Sequence, residues 1–417
     1  MTDLSVSTSS GGLLATRGPN STRNNGAAMV AATLLGIGAL WLAGAIGANQ
    51  AALFLVGGAL GLTLYHASFG FTSAFRVLIA DRRGAGLRAQ MLMLAVACAL
   101  FFPVLADGSL FGQPVRGLVA PVGTSVVFGA FLFGIGMQLG GGCASGTLFT
   151  VGGGNTRMVV TLAAFIAGSV LGAYNLPWWQ TLPSFAPISL VDSFGWQAAL
   201  AISLAVFAGI AGLSVVLEKS RHGRLVSASA ADATRAGMAR FLRGPWPMIW
   251  GAVALALLNF ATLALAGRPW GITSAFALWG SKALMAGGVD VASWPFWQQP
   301  GNAKALGDSV LADVTSVMDF GIILGALLAA GLAGRFAPGW KLPLKSFIAA
   351  VVGGLMLGYG SRLAFGCNIG AYFSGIASGS LHGWVWIVAA LVGNWLGTGL
   401  RPLFGLAVER TPRQTAC

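Results

Sequence analysis

Apolar residues in this chain gather into long stretches instead of alternating with polar ones. Ten such stretches lie near 28–47, 51–66, 88–106, 121–138, 157–175, 197–217, 246–266, 315–335, 345–361 and 382–400. Each approaches or exceeds the roughly 20 residues that carry a helix across the hydrocarbon core of a bilayer. Four further segments, 69–80, 142–155, 270–283 and 366–379, are too short to cross and too polar to face lipid. Backbone of that kind is tolerated at membrane depth only where it is buried in protein or lines a cavity. The pattern predicts an all-α polytopic membrane protein in which these four segments are short re-entrant helices meeting near the midplane.

Composition leads to the same class. Hydrophobic residues make up 56% of the chain and charged ones 8%, against about a quarter charged in soluble domains. The net charge of +13 sets orientation and implies no nucleic acid, since no basic patch interleaved with aromatics is present. All Lys and Arg except Arg116, Arg268, Lys282, Lys304 and Arg362 fall in alternate loops, which the positive-inside rule assigns to the cytoplasm. The expected organisation is a disordered cytoplasmic N-tail (1–27), a first membrane half (28–217), a basic cytoplasmic linker (218–245), a second membrane half (246–402) and a cytoplasmic C-tail (403–417). The N-tail lacks the basic, apolar, small-residue order of a cleaved signal peptide.

The two halves repeat each other. The pattern G-x-G-x-x-L-x-x-G-C-x-x-G occurs at Gly134, Gly136, Leu139, Gly142, Cys143, Gly146 and again at Gly358, Gly360, Leu363, Gly366, Cys367, Gly370. A second motif, Gly70-Phe-Thr-Ser-Ala-Phe75, returns as Gly271-Ile-Thr-Ser-Ala-Phe276. With the N-tail inside, the span before Cys143 runs inward and the span before Cys367 runs outward. Two inverted-topology repeats follow, an arrangement whose binding sites sit at the repeat interface.

Cys143 and Cys367 are the leading candidates for chemistry, because a thiol is a soft, weak donor suited to a ligand ending in sulfur. Gly70, Thr72, Ser73, Thr273 and Ser274 put backbone amides and hydroxyls at the starts of short helices, whose positive ends favour an anion. Arg268 and Arg362 are candidates for anion attraction, with snorkelling to the interface as the alternative. His66 adjoins the first re-entrant element; His382 reads as interfacial. Gly168, Gly172, Gly393 and Gly397 read as helix-packing residues, Cys98 as a small packing residue, and Cys417 as inert. Acids are few and lie mainly in loops, which leaves no carboxylate cluster for a cation or proton relay; Asp319 reads as structural. No metal or cofactor is expected.

The segments 267–282 (GRPWGITSAFALWGSK), 358–370 (GYGSRLAFGCNIG) and 136–146 (GMQLGGGCASG) resemble signature motifs of the YeeE/YedE family of sulfur-compound transporters. The resemblance spans about residues 50–402. It implies a multi-pass protein of the bacterial inner membrane that takes up thiosulfate or a related anion, handed between pore cysteines, with a cytoplasmic sulfurtransferase as a further partner. Cys143 and Cys367 match two of the family's functional cysteines. The third usually lies in an F-C-F segment where this chain has Phe69-Gly70-Phe71, leaving His66 or Ser68 as neighbouring replacements, or a different ligand. Alternative functions are a permease or channel for selenium or sulfite species, or a membrane sulfurtransferase holding a cysteine persulfide; an enzyme is not expected.

Overall fold

The computed structural model describes residues 25–226, 237–339 and 341–410. The expected N-tail up to residue 24, the middle of the linker, residue 340 and the end of the C-tail, with Cys417, lie outside the described residues. All ten apolar stretches form helices long enough to cross a bilayer, and the chain is an all-α polytopic membrane protein.

Helix α1 (Asn25–Ala45) takes in the last residues of the expected tail. It precedes α2 (Ala48–His66), short α3 (Phe71–Asp81) and α4 (Ala85–Asp107). Next come α5 (Thr124–Gly140), short α6 (Ala144–Gly152), α7 (Thr156–Trp179), the turn α8 (Leu190–Phe194) and α9 (Trp196–His222). Within the linker, α10 (Gly237–Arg243) is helical. The second half holds α11 (Met248–Ala266), α12 (Thr273–Ala286), the short α13 (Pro295–Gln298) and α14 (Pro300–Gly307), α15 (Val314–Ala333) and α16 (Leu344–Leu363). A π-helical segment, Asn368–Ser374, then runs into α17 (Gly375–Ala377), and α18 (Leu381–Leu400) closes the half. The four polar segments are thus short helical elements, although the fourth adopts π geometry that spacing did not foretell. Two pairs of two-residue strands, Ser109–Leu110 with Gln113–Pro114 and Val122–Gly123 with Ser184–Phe185, pin the loops.

The halves interlock. Helix α2 packs along α15 as α4 packs along α11, and α5 packs along α18 as α7 packs along α16. Short α3 leans on α18 and α5, while its counterpart α12 leans on α7 and α16. Element α6 lies against α15, and α17 against α4. Each contact therefore has a partner contact obtained by exchanging equivalent elements. Outward faces such as Ile37 and Leu40 on α1, or Leu213 and Val216 on α9, are apolar and exposed, as lipid-facing surfaces must be.

Glycine explains the closeness of the central helices. A methyl group built on Gly134 would land on the backbone of α18, and one on Gly136 on the backbone of α16. Gly358 meets α7 and Gly360 meets α5 in the same way. The G-x-G part of the repeat is thus a helix-packing device, consistent with small residues at membrane helix interfaces. Gly168, Gly172, Gly393 and Gly397 also face neighbouring helices without room for a side chain.

Gly358→Ala should destabilise the detergent-solubilised protein by about 1–3 kcal/mol through overpacking. Gly271→Ala, at a motif glycine with open space around it, should leave thermal unfolding close to that of the parent. Equal unfolding temperatures for the two variants would remove the packing role.

Candidate functional site

Both repeat cysteines occupy the same structural position. Helix α5 ends at Gly141, whose φ of 94° is a left-handed stop suited to glycine, and Cys143 then caps the start of α6. After α16, Phe365 at φ 55° and Gly366 at φ 147° turn the chain, and Cys367 caps the π-helical segment. A side chain on Gly366 would meet the amide nitrogen of Ala371 at 2.7 Å, so the turn has room only for glycine. Cys143 Sγ lies 3.3 Å from Ser145 Oγ, and the Ile369 amide donates to Cys367 Sγ at 3.4 Å. Both sulfurs are buried, the two short elements touch, and Cys367 stands within electrostatic reach of Cys143.

Each cysteine repeat is tied to the G-x-T-S-A-F element of its own half through one motif position. In the first half Gln138 Nε2 donates to the Thr72 carbonyl at 3.2 Å. In the second, Arg362, at the equivalent place, donates through Nη2 to Thr273 Oγ1 at 3.1 Å. Gln138 also donates to Asn394 Oδ1 at 2.6 Å. The two tethers differ in charge, with a neutral amide in one half and a half-buried guanidinium in the other.

Aromatic rings fill the space between the re-entrant elements. Phe71 and Phe75 of α3 sit edge-on to Tyr372, whose ring stacks on Trp386. From Trp386 the series continues through Phe133 and Phe165 to Phe276 of α12. Among these rings several buried polar atoms have no hydrogen-bond partner: Tyr372 Oη, Trp386 Nε1, Thr72 Oγ1 and both amide atoms of Asn368. Such groups are costly to bury unmatched; Asn368 and Tyr372 lie on the segment that Cys367 caps, Thr72 on α3 and Trp386 on α18. No sequence argument singled out Asn368 or Tyr372; the signal was a polar side chain directly after Cys367 in an otherwise buried segment.

The remaining expected residues fall into separate neighbourhoods. Gly70 and Ser73 line a cavity of about 210 Å³ with Ser68, Arg83, Gln90 and Met248. Arg268 donates to Thr315 Oγ1, and Ser274 bonds the same hydroxyl, both at 3.1 Å; both residues are exposed. His66 is buried against the linker, its ring centroid 5.5 Å from that of Trp246. His382 is fully buried, with Nδ1 3.0 Å from Ser380 Oγ. Cys98 packs in the core, its thiol 3.7 Å from the Ile376 carbonyl. Among the described residues, no group of three or more His, Cys, Asp or Glu could hold a metal.

One unforeseen contact adjoins the first tether. Arg76 of α3, buried, binds Glu409 of the C-terminal segment through Nε at 2.6 Å and Nη2 at 2.7 Å, and reaches Gln138 Oε1 at 3.4 Å. Burial by itself raises the Glu409 carboxyl; the hydrogen bonds and charge of Arg76 outweigh this and hold it below the usual carboxylate range. A carboxyl lowered in the folded state stabilises the fold above its unfolded titration range, and the benefit fades as pH falls through the folded value. Glu409→Gln should therefore lower the unfolding temperature at neutral pH, with the gap to the parent closing below about pH 4. A gap of constant size across that range would show that Glu409 acts by packing alone.

The family model for sulphur transport matches residues 66–396, which take in both cysteine turns. Probable transporter YedE of Escherichia coli (strain K12) is 30% identical over 166 residues, 39% of this chain and 40% of that protein. The chain thus aligns with about two fifths of that relative's length. Thiosulfate transporter TsuA of Spirochaeta thermophila (strain ATCC 700085 / DSM 6578 / Z-1203) is 27% identical over 351 residues, 82% of this chain and 96% of that protein. Thiosulfate transporter TsuA of Escherichia coli (strain K12) is 24% identical over 358 residues, 83% of this chain and 93% of that protein. A match that spans both halves and both cysteine turns places the chain in one family: it belongs to the sulphur-transport family.

Proposed function

We propose that this protein takes up thiosulfate or a closely related sulfur anion across the bacterial inner membrane. In this reading the halves are inverted repeats, and the anion passes between Cys367 on the external side and Cys143 on the cytoplasmic side. The observation that carries the proposal is the equivalent placement of two thiols at the starts of two short buried elements that touch each other. Two relatives aligned over most of this chain are named thiosulfate transporters.

The chemistry suits the task. A thiol offers a weak contact to a terminal sulfur, and conduction needs sites that hold an ion without trapping it. Helix starts present amides and positive dipole ends to the charged oxygens. Unpartnered Tyr372 Oη, Thr72 Oγ1 and Asn368 Nδ2 supply further donors in the same region. Arg362, held by Thr273 on the Cys367 side, draws the anion in, and Arg268 lies on the outer approach. Gly70 and Ser73, at the wall of the 210 Å³ cavity, mark the way out towards the basic turn at Arg82 and Arg83 that follows α3. His66 serves as a packing residue against the linker. A soluble sulfurtransferase would collect the sulfur at that inner mouth.

The test is uptake of labelled thiosulfate into membrane vesicles. Cys143→Ala and Cys367→Ala should each slow uptake about tenfold, equivalent to losing roughly 1.4 kcal/mol at the passage. Parent-level rates in both variants would end the relay reading, and absence of any thiosulfate uptake by the parent would end the transport reading itself.

A further inference from the structure

Asp319 is a buried charge that the fold does not explain. It lies in the second turn of α15, fully buried, and neither carboxylate oxygen has a hydrogen-bond partner. Other buried acids are provided for. Asp81 faces Arg83 at 2.9 Å, and Glu218 accepts from Arg88 at 2.7 Å and from the amides of Gly84 and Val226. Asp313, six residues before Asp319, caps α15 by accepting from the Ser316 amide and hydroxyl. A structural carboxylate has donors, and Asp319 has none among the described residues.

No basic group among the described residues forms a hydrogen bond or ion pair with it. Helix α15 is packed by α1, α2, α6, α10, α12 and the turn at 310–312. Helices α1 and α6 carry no charged residue. The titratable groups of α2, Tyr65 and His66, lie at its end in reach of Arg335. Lys282 of α12 donates to the carbonyls of Leu306 and Asp308, and Arg268, just ahead of α12, donates to Thr315. On α10, Arg240 donates to the Pro245 carbonyl and Arg243 ends the helix. Asp313, of the same sign, and the Cys367 thiol lie in electrostatic reach of Asp319.

An ionised carboxylate placed there is buried without a hydrogen-bond donor or ion-pair partner among the described residues, which is costly. It would also repel an anion arriving at Cys367, and repulsion is weakly screened in a buried site. A protonated carboxyl avoids both penalties and has an O–H to donate. We propose that Asp319 is a proton-carrying site that couples entry of the sulfur anion to entry of a proton, making this protein a proton–anion symporter. The inference rests on the transport reading above. Asp319 takes a proton from the external side as the anion reaches Cys367, keeps it while the anion moves inward, and releases it to the cytoplasm after the anion has passed Cys143. One proton offsets half the charge of a dianion against an inside-negative potential.

The experiment uses the full chain in proteoliposomes, with the membrane potential clamped by potassium and valinomycin, labelled thiosulfate outside and a pH-sensitive dye inside. A one-unit pH gradient, acid outside, should raise accumulated thiosulfate about tenfold per coupled proton, and adding thiosulfate at equal pH should acidify the lumen. Asp319→Asn should lose both responses and Asp319→Glu should keep them. Thiosulfate entry by the parent with no lumen acidification and no response to the gradient would overturn this proposal and leave the transport reading intact. So would an Asp319→Asn protein that acidifies the lumen as the parent does. Where Asp319→Asn fails to fold, the parent measurements decide the matter. No thiosulfate entry under any gradient would overturn the transport reading and this inference together.

Discussion

Everything in this structure depends on backbone meeting backbone where water is excluded. A polar turn at membrane depth must find its hydrogen bonds within the protein, and the four short elements do so because long helices close tightly around them. That closeness comes from glycine: α5, α7, α16 and α18 cross at points where neither helix has room for a methyl group. The cysteine turns follow the ends of α5 and α16, so the same contacts that join the halves also fix where the two cysteine-capped elements start.

Equivalent positions in the halves do equivalent mechanical work with different chemistry. Gln138 and Arg362 each anchor a cysteine repeat to a threonine of the neighbouring re-entrant element. One is an amide that also engages Asn394 and Arg76, and the other is a cation with its Nε left unpartnered.

Much of the fold was legible because it follows from solvent. Ten apolar runs become ten helices, since a bilayer admits few other solutions for an uncharged stretch of that length. The four short elements were legible for the complementary reason, being too polar for lipid and too short to span. Within the site, repeat spacing singled out Cys143 and Cys367 and paired Thr72 with Thr273. It did not reveal that His66 packs on Trp246, that His382 is buried, or that Glu409 returns from the far end of the chain to Arg76. Those contacts join residues remote in sequence, and periodicity has no information about them.

The sequence by itself determined the membrane class, the number of helices, the duplication and the two thiols, because each follows from local pattern: apolar length, charge distribution and repeated spacing. Only the tertiary structure decided which helices exchange partners, which glycines serve packing and which hold a turn, and which polar groups are left without donors. Asp319 marks the boundary. On paper it is one acid near the start of a helix; its environment is made by five other helices and a turn, and three-dimensional packing alone buries it without a hydrogen-bond donor.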